Sequence, residues 1–278
     1  MSSKLERRKI FFMVSPMIFD DLFPQGVGAW CHDLASELWP TTRSLSGPGV
    51  RKTLGRLQRE VPELAVRSIA SGEQVFDWTV PDEWTFRQAY IEDENGRRII
   101  DAADNNLHVL GYSQSVDQVL DRSELDQHLY SLPDQPAAIP YVTSYYKRRW
   151  GFCLSQHQRD ALPEGRYRVV IDADLAPGHL NYGEIILPGQ SQDEVFLSTY
   201  ICHPSMANNE LSGPVVTIAL AKWLAAQTDR RFTYRIVFIP ETIGSLIYLS
   251  RHLAVMKAQV TLNPAFTCAF MTARCRLR

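Results

Sequence analysis

The stretch YICHPSMANNELSGP, residues 200 to 214, concentrates the residue types that do chemistry. Cys202 and His203 follow directly on an apolar run, and Asn209, Glu210, Ser212 and Gly213 stand where the next helix is expected to open. A second cluster, IPETIGS, brings Glu241 to the end of another apolar run. A histidine nitrogen with carboxylate oxygens, and one position left open for water, is a common hydrolytic zinc arrangement. The metal lowers the pKa of its water toward about 7 while a nearby carboxylate takes the proton. On spacing alone His203 reads as a metal ligand or as a turn residue. Asn209 reads as a weak ligand or as a helix cap in competition with Ser212. Glu241 is more telling, because an isolated carboxylate after a buried strand is costly without a partner. Cys202 reads as a small buried residue, and neither Ser205 nor Ser245 lies in a G-x-S-x-G elbow.

For these groups to meet, two strands must end side by side. EVFLSTYI (194 to 201) and TYRIVFIP (233 to 240) are nearly all apolar or small, the pattern of strands covered on both faces. Each precedes a strong helical pattern, SGPVVTIALAKWLAAQ and GSLIYLSRHLAVMK. Strand, helix, strand, helix predicts an α/β fold with a mainly parallel sheet flanked by helices. Ligands gather at the carboxyl ends of such strands, and neighbours lie roughly 4.8 Å apart, so His203 and Glu241 could share one ion. YRVVIDADL and LNYGEIILPG read as two more strands joined by APGH.

Upstream, VGAWCHDLASELW carries Val27, Trp30, Cys31, Leu34 and Leu38 on one helical stripe that Pro40 stops, and GPGVRKTLGRLQREV repeats the spacing. From about Ser71 to Pro140 the chain is rich in short apolar pairs and turn residues. YIEDENGRRIID reads as a hairpin around Asn95-Gly96, and SVDQVLDRSELDQHLYSL as a short helical segment opening on Ser123. The expected division is a helical N-terminal part of the core over 1–70, an inserted small β-rich domain over 71–155, and the rest of the α/β core over 156–278.

With 278 residues, 45% apolar and 22% charged, and a formal net charge of -2, the composition is globular and argues against nucleic-acid binding. The longest basic run, KRR at 147 to 149, reads as a solvated loop. Five scattered cysteines without a C-x-x-C pair read as reduced thiols, hence a cytoplasmic protein. The N-terminal KLERRKIFFMVSPMIF reads as a leader or first strand, because Ser15 and Pro16 interrupt its apolar run. No stretch reaches the roughly 20 apolar residues of a membrane span.

Several longer blocks carry a resemblance. FDWTVPDEW, NNLHVLGYS, AAIPYVTSYYKRRWGFCLS, STYICHPSMANNELSGP and IPETIGSLIYLS together resemble a bacterial family of polysaccharide-biosynthesis proteins with an aminopeptidase-like domain, over about Leu38 to Lys257. The family is similar at a distance to the zinc aminopeptidases, with a small domain inserted in the peptidase core. The resemblance implies zinc as cofactor and a peptide or aminoacyl amide as substrate. It places His203 at the strand-end ligand, Ser205 where an aspartate orients that histidine, and Asn209 where an aspartate bridges two metals. Pro240-Glu241 stands where a Glu-Glu pair supplies base and ligand, leaving Glu241 to fill one of those roles and Glu210 as the nearest spare carboxylate for a base. The neutral Asn209 argues against a two-metal site. A non-catalytic binding module on the same fold is the alternative.

The resemblance also implies longer relatives. The tail KAQVTLNPAFTCAFMTARCRLR carries no acidic residue or histidine, and it reads as a truncation or frame shift. A sheet short of its last strands would expose an apolar edge, so self-association as a homo-oligomer is a further expectation.

Overall fold

The computed structural model describes residues 21–262, so the N-terminal apolar run and the tail beyond Leu262 lie outside the described residues. Two helices come first, α1 (Val27–Leu38) and α2 (Pro48–Glu60). Pro48 stands at the first helical position, where it is pre-set for helix and sacrifices no hydrogen bond. Leu34 and Leu38 of α1 and Val50, Leu54 and Leu57 of α2 are buried, as their spacing requires.

The two main sheets are built from β1 (Ala65–Ala70), β2 (Glu83–Glu92), β3 (Arg98–Asp101), β4 (Val116–Asp121), β5 (Arg166–Ala176), β6 (His179–Leu187), β7 (Glu194–Tyr200), β8 (Thr233–Ile239) and β9 (Val260–Leu262). Helix α3 (Ser212–Ala225) joins β7 to β8, and α4 (Ile243–Gln259) joins β8 to β9. The five-stranded sheet runs β1-β6-β8-β7-β9, and a four-stranded sheet runs β3-β2-β5-β4.

The larger sheet is mixed rather than mainly parallel. β7 pairs parallel with β8 and β9, whereas β6 pairs antiparallel with β1 and β8. The reason is connection length. A helix spans each step from β7 to β8 to β9, but only residues 188–193 separate β6 from β7. That is too short for a crossover, so the chain reverses.

A second difference concerns β5. Its sequence suggests a place in the core beside β6, yet it pairs with β2 and β4 in the four-stranded sheet. The strands either side of APGH therefore belong to different sheets. The 92–98 hairpin forms with Gly96 at φ 74°, the left-handed conformation its turn needs. SVDQVLD is strand, and the helical turn that follows spans Arg122–Leu125 with a capping box on Asp121.

Alternate side chains of β7 and β8 leave on opposite faces. Val195, Leu197, Ile236 and Phe238 pack with α1, α2 and α3. Phe196, Val237 and Ile239 join Ile243, Ile247 and the core of the four-stranded sheet. Both central strands are buried on two sides, which explains their near-continuous apolar sequence. One ionic layer crosses this second face. The Arg235 guanidinium binds both oxygens of buried Glu194 at 2.6 and 2.8 Å and also reaches Glu184 and Tyr248. No helix among the described residues is long and apolar enough to cross a membrane.

Candidate functional site

β7 and β8 end in register, Tyr200 opposite Ile239, and Ile201 N–H extends the ladder to the Ile239 carbonyl. The residues just beyond these ends are therefore neighbours. His203 Nε2 lies 3.3 Å from Glu241 Oε2. The two residues singled out from separate motifs meet at the carboxyl edge of the sheet. His203 is almost closed off from solvent, while the Glu241 side chain is 53% exposed, so the pair opens outward on the Glu241 side.

Behind His203 stands Glu210. Its Oε2 lies 2.9 Å from His203 Nδ1, and the side chain has no exposed surface. A π-turn over Ala207–Leu211 produces this placement, with both Glu210 and Leu211 N–H reaching the Met206 carbonyl. Such turns widen a helix by one residue. The extra residue turns Glu210 inward and leaves Asn209 exposed beside it. Ser212, in competition as a cap, donates back to the Asn208 carbonyl at 2.6 Å instead.

Arg43 is the residue that sequence reasoning missed. It sits between α1 and α2 in TTRSLSG, with no periodicity or motif around it, and it is among the largest fully buried side chains. Its Nε donates to the His203 carbonyl at 2.9 Å and lies 3.4 Å from Glu210 Oε1; its Nη1 donates to the Leu38 carbonyl at 2.9 Å. Arg43 thus ties the end of α1 to the His203 loop and gives Glu210 a countercharge. Burial lowers the guanidinium's affinity for its proton, and Glu210 opposes that change. Burial raises the Glu210 carboxyl above its ordinary range, with His203 and Arg43 pulling it back.

Ser205 does not orient His203. Its Oγ donates to the Trp39 carbonyl at 2.5 Å and its N–H to Asn106 Oδ1 at 2.9 Å, so it closes the end of α1. Glu210 takes the orienting position instead. Cys202 is buried, accepts the Glu241 N–H at 3.2 Å, and has its thiol pKa pushed well up by burial. Ser245 lies in the first turn of α4. The Tyr141 and Tyr200 rings meet the His203 ring edge-on at 5.0 and 5.3 Å. Tyr141 and Tyr145 share a 2.8 Å hydroxyl contact, and burial pushes the Tyr145 hydroxyl up to about 12.

The backbone at Glu241 is strained. Thr242 has φ 55° and ψ -63°, closed by Ile243 N–H on the Glu241 carbonyl at 2.5 Å. This γ-turn is rare, and positive φ is disfavoured for a β-branched residue. Strain of this kind costs about 1–3 kcal/mol and collects at functional sites.

Two donor sets could hold an ion. Cys202, His203 and Glu210 bring ligand-type atoms within 4.8 Å of one another. That set is buried, its Nδ1 already faces Glu210, and the Arg43 cation beside Glu210 opposes a dication there. His203 Nε2 with Glu241 is the better fit. It pairs an imidazole nitrogen with a carboxylate oxygen, the other ring nitrogen is fixed by a carboxylate, and one side opens to solvent. Among the described residues these two donors supply two of the three protein ligands a hydrolytic zinc usually has. Asn209 brings no charge to bridge a second ion.

Residues 32–269 match the family described as "Domain of unknown function (DUF4910)". The chain belongs to the DUF4910 family. It is 44% identical over 225 residues to a Clostridium acetobutylicum protein that carries the name of a polysaccharide biosynthesis protein with aminopeptidase-like domain. That match takes in 81% of this chain and 51% of the relative, so the DUF4910 chain spans about half the length of the curated relative it matches. A crystal structure of a Clostridium acetobutylicum protein named as a peptidase is similar at TM-score 0.85 and 40% identity, covering 91% of this chain and 58% of that one. A peptidase M28 precursor from Shewanella amazonensis SB2B is similar at TM-score 0.55 and 10% identity, covering 87% and 72%. BSAP, a zinc aminopeptidase from Bacillus subtilis, is similar at 0.53 and 11%, covering 84% and 67%. At such identities the last two show the fold alone: DUF4910 here has the α/β architecture of the M28 aminopeptidases.

Proposed function

We propose that this chain carries the metal-holding part of a zinc-dependent, aminopeptidase-like hydrolase acting on a peptide or aminoacyl amide. The observation that carries the reading is the 3.3 Å approach of His203 Nε2 to Glu241 at the ends of two parallel strands, with Glu210 fixed behind the imidazole. His203 and Glu241 hold the ion, and Asn209 is at most a weak third donor. When bound, zinc supplies Lewis acidity toward a substrate carbonyl and toward water. The chain's own residues do the rest. Glu210 accepts a hydrogen bond from His203 Nδ1–H and so leaves the Nε2 lone pair free for the ion. Arg43 offsets part of the burial that raises the Glu210 carboxyl, and it anchors the His203 carbonyl. Glu241 is the one described site carboxylate with solvent access and fills the ligand role, while buried Glu210 faces His203 and has no open side toward a nucleophile. The Tyr141 and Tyr200 rings exclude water from one flank of His203.

Work on a surface-polysaccharide precursor, suggested by the relative's name, and residence in the cytoplasm complete the reading. A non-catalytic binding module is the second reading. It is favoured by the exposed neutral Asn209 and by a single glutamate where an acid-base residue and a ligand are both needed.

The test is hydrolysis of aminoacyl-anilide substrates with zinc supplied. The proposal expects turnover that His203→Ala and Glu241→Gln abolish and Asn209→Asp raises. If the native chain and Asn209→Asp are both inert while zinc is bound, the binding-module reading stands and the hydrolase reading falls.

A further inference from the structure

A cavity of about 270 Å³ lies where the end of α1 meets the four-stranded sheet, bordered by Ser205 of the His203 loop. Trp39, Phe86, Gln88, Asp104 and Asn106 are among its other lining residues. Trp39 is 40% exposed and lines the cavity, so its ring is available to a bound ligand there. Asn106 is buried to 4% exposure. Its Oδ1 is committed to Ser205 N–H, and its Nδ2 is buried without a hydrogen-bond partner. A buried donor left unsatisfied is costly, so native structures usually supply it with a partner.

The electrostatics narrow what that partner could be. Arg87 and Arg98 also line the cavity, but both are taken. Arg87 binds Asp172 and Asp174, and Arg98 binds Asp101 at 2.8 Å while lying over the Tyr90 ring. With Asp101 and Asp104 in the wall, the lining carries two formal positive and two formal negative charges. No cation in that lining is left for a phosphate or a carboxylate. What the lining leaves uncommitted is the Asp104 carboxylate, the Gln88 amide and the Trp39 indole. Acceptors and amide donors around an aromatic face suit a neutral ring with an apolar C–H face and a hydroxyl rim.

We infer that this cavity is a binding site for a neutral saccharide unit, distinct from the His203–Glu241 pair and independent of any hydrolytic activity there. Its volume of about 270 Å³ lies just under the smallest pockets that take drug-sized ligands, so it suits a single small ring. Asn106 links the site to the His203 loop through Ser205, so an occupied cavity steadies the loop that carries His203.

The experiment uses the full chain with chelator present, and glucose, galactose, N-acetylglucosamine and glucose 1-phosphate as probes. Saturation-transfer NMR reads contact and calorimetry reads Kd. At least one neutral sugar is expected to bind with Kd of about 1–10 mM. Trp39→Ala should weaken it about tenfold, the size of one lost aromatic contact. That substitution leaves the Ser205 link in place, because Ser205 bonds the Trp39 carbonyl and not the indole. Gln88→Ala and Asp104→Asn should weaken binding severalfold, and His203→Ala should leave it unchanged. The inference is overturned if no neutral sugar shows transfer, if Trp39→Ala leaves Kd unchanged, or if glucose 1-phosphate binds more than about tenfold tighter than glucose.

Discussion

Removing the Arg43 guanidinium tests the site's internal logic more sharply than removing a ligand does. Arg43→Met keeps most of the volume, but it strands Glu210, which has no exposed surface, with only the His203 imidazole beside its carboxylate. It also strips the His203 and Leu38 carbonyls of their donors. Breaking a buried ion pair from one side costs about 3–5 kcal/mol. In a chain of this size that lowers Tm by roughly 10 °C. Urea unfolding followed by circular dichroism measures it directly. In the Arg43→Met/Glu210→Gln double variant the stranded charge is gone, so at least about 1 kcal/mol should return as coupling energy. The pH dependence has a definite sign. Burial already raises the Glu210 carboxyl, and losing Arg43 raises it further. A carboxyl whose folded pKa exceeds its unfolded one contributes stability that is full below the ordinary value of about 4.3 and is lost as pH rises through the folded pKa. The Arg43→Met deficit should therefore shrink as pH falls from neutral toward that value, and the double variant should not share the trend. A cost below about 1 kcal/mol, or strict additivity of the two substitutions, would refute the picture of Glu210 as a paired buried anion.

Three further outcomes follow from the same geometry. Arg235→Met strands Glu194 and Glu184 in the core and should cost about 3–5 kcal/mol by urea unfolding. Thr242→Gly relieves the γ-turn at φ 55°. It should stabilise the chain by about 1 kcal/mol in thermal melts yet weaken zinc binding, because Glu241 loses its fixed aim. Ser205→Ala removes the bond to the Trp39 carbonyl and should cost about 1 kcal/mol in the same melts. It should leave zinc affinity within about twofold, since the Ser205 side chain is directed at α1 and not at the His203 ring.

How much of this could be read beforehand depends on where the information sits. The apolar runs of β7 and β8 and the 3.6-residue patterns of α3 and α4 are local, and they brought His203 and Glu241 to neighbouring strand ends. Strand direction in β6 is not local. It follows from the short 188–193 link, whose consequence shows only once sheet order is known. The same holds for β5, whose alternating pattern serves either sheet. Within the site, the π-turn decides that Glu210 and not Asn209 points inward, and one extra residue in a helical turn leaves no mark on hydrophobic spacing. Arg43 is far from the motifs in sequence and is recruited purely by packing. Its one legible sign is a charged residue inside TTRSLSG, ahead of a helix that opens on Gly47-Pro48, where a surface loop would be the ordinary reading. Ser205 takes its expected role from its position in a family pattern, and the bond to α1 that it makes instead is a tertiary fact.

The proposed function turns on one zinc ion being held by His203 and Glu241, with Glu210 behind the imidazole. Calorimetric zinc titration of the metal-stripped full chain measures it most directly, comparing the native protein with His203→Ala, Glu241→Gln and Cys202→Ala. One site is predicted, lost in His203→Ala and in Glu241→Gln and kept in Cys202→Ala. Binding that survives His203→Ala, or that Cys202→Ala removes while Glu241→Gln spares it, would contradict this assignment and move the ion to the buried Cys202–Glu210 side.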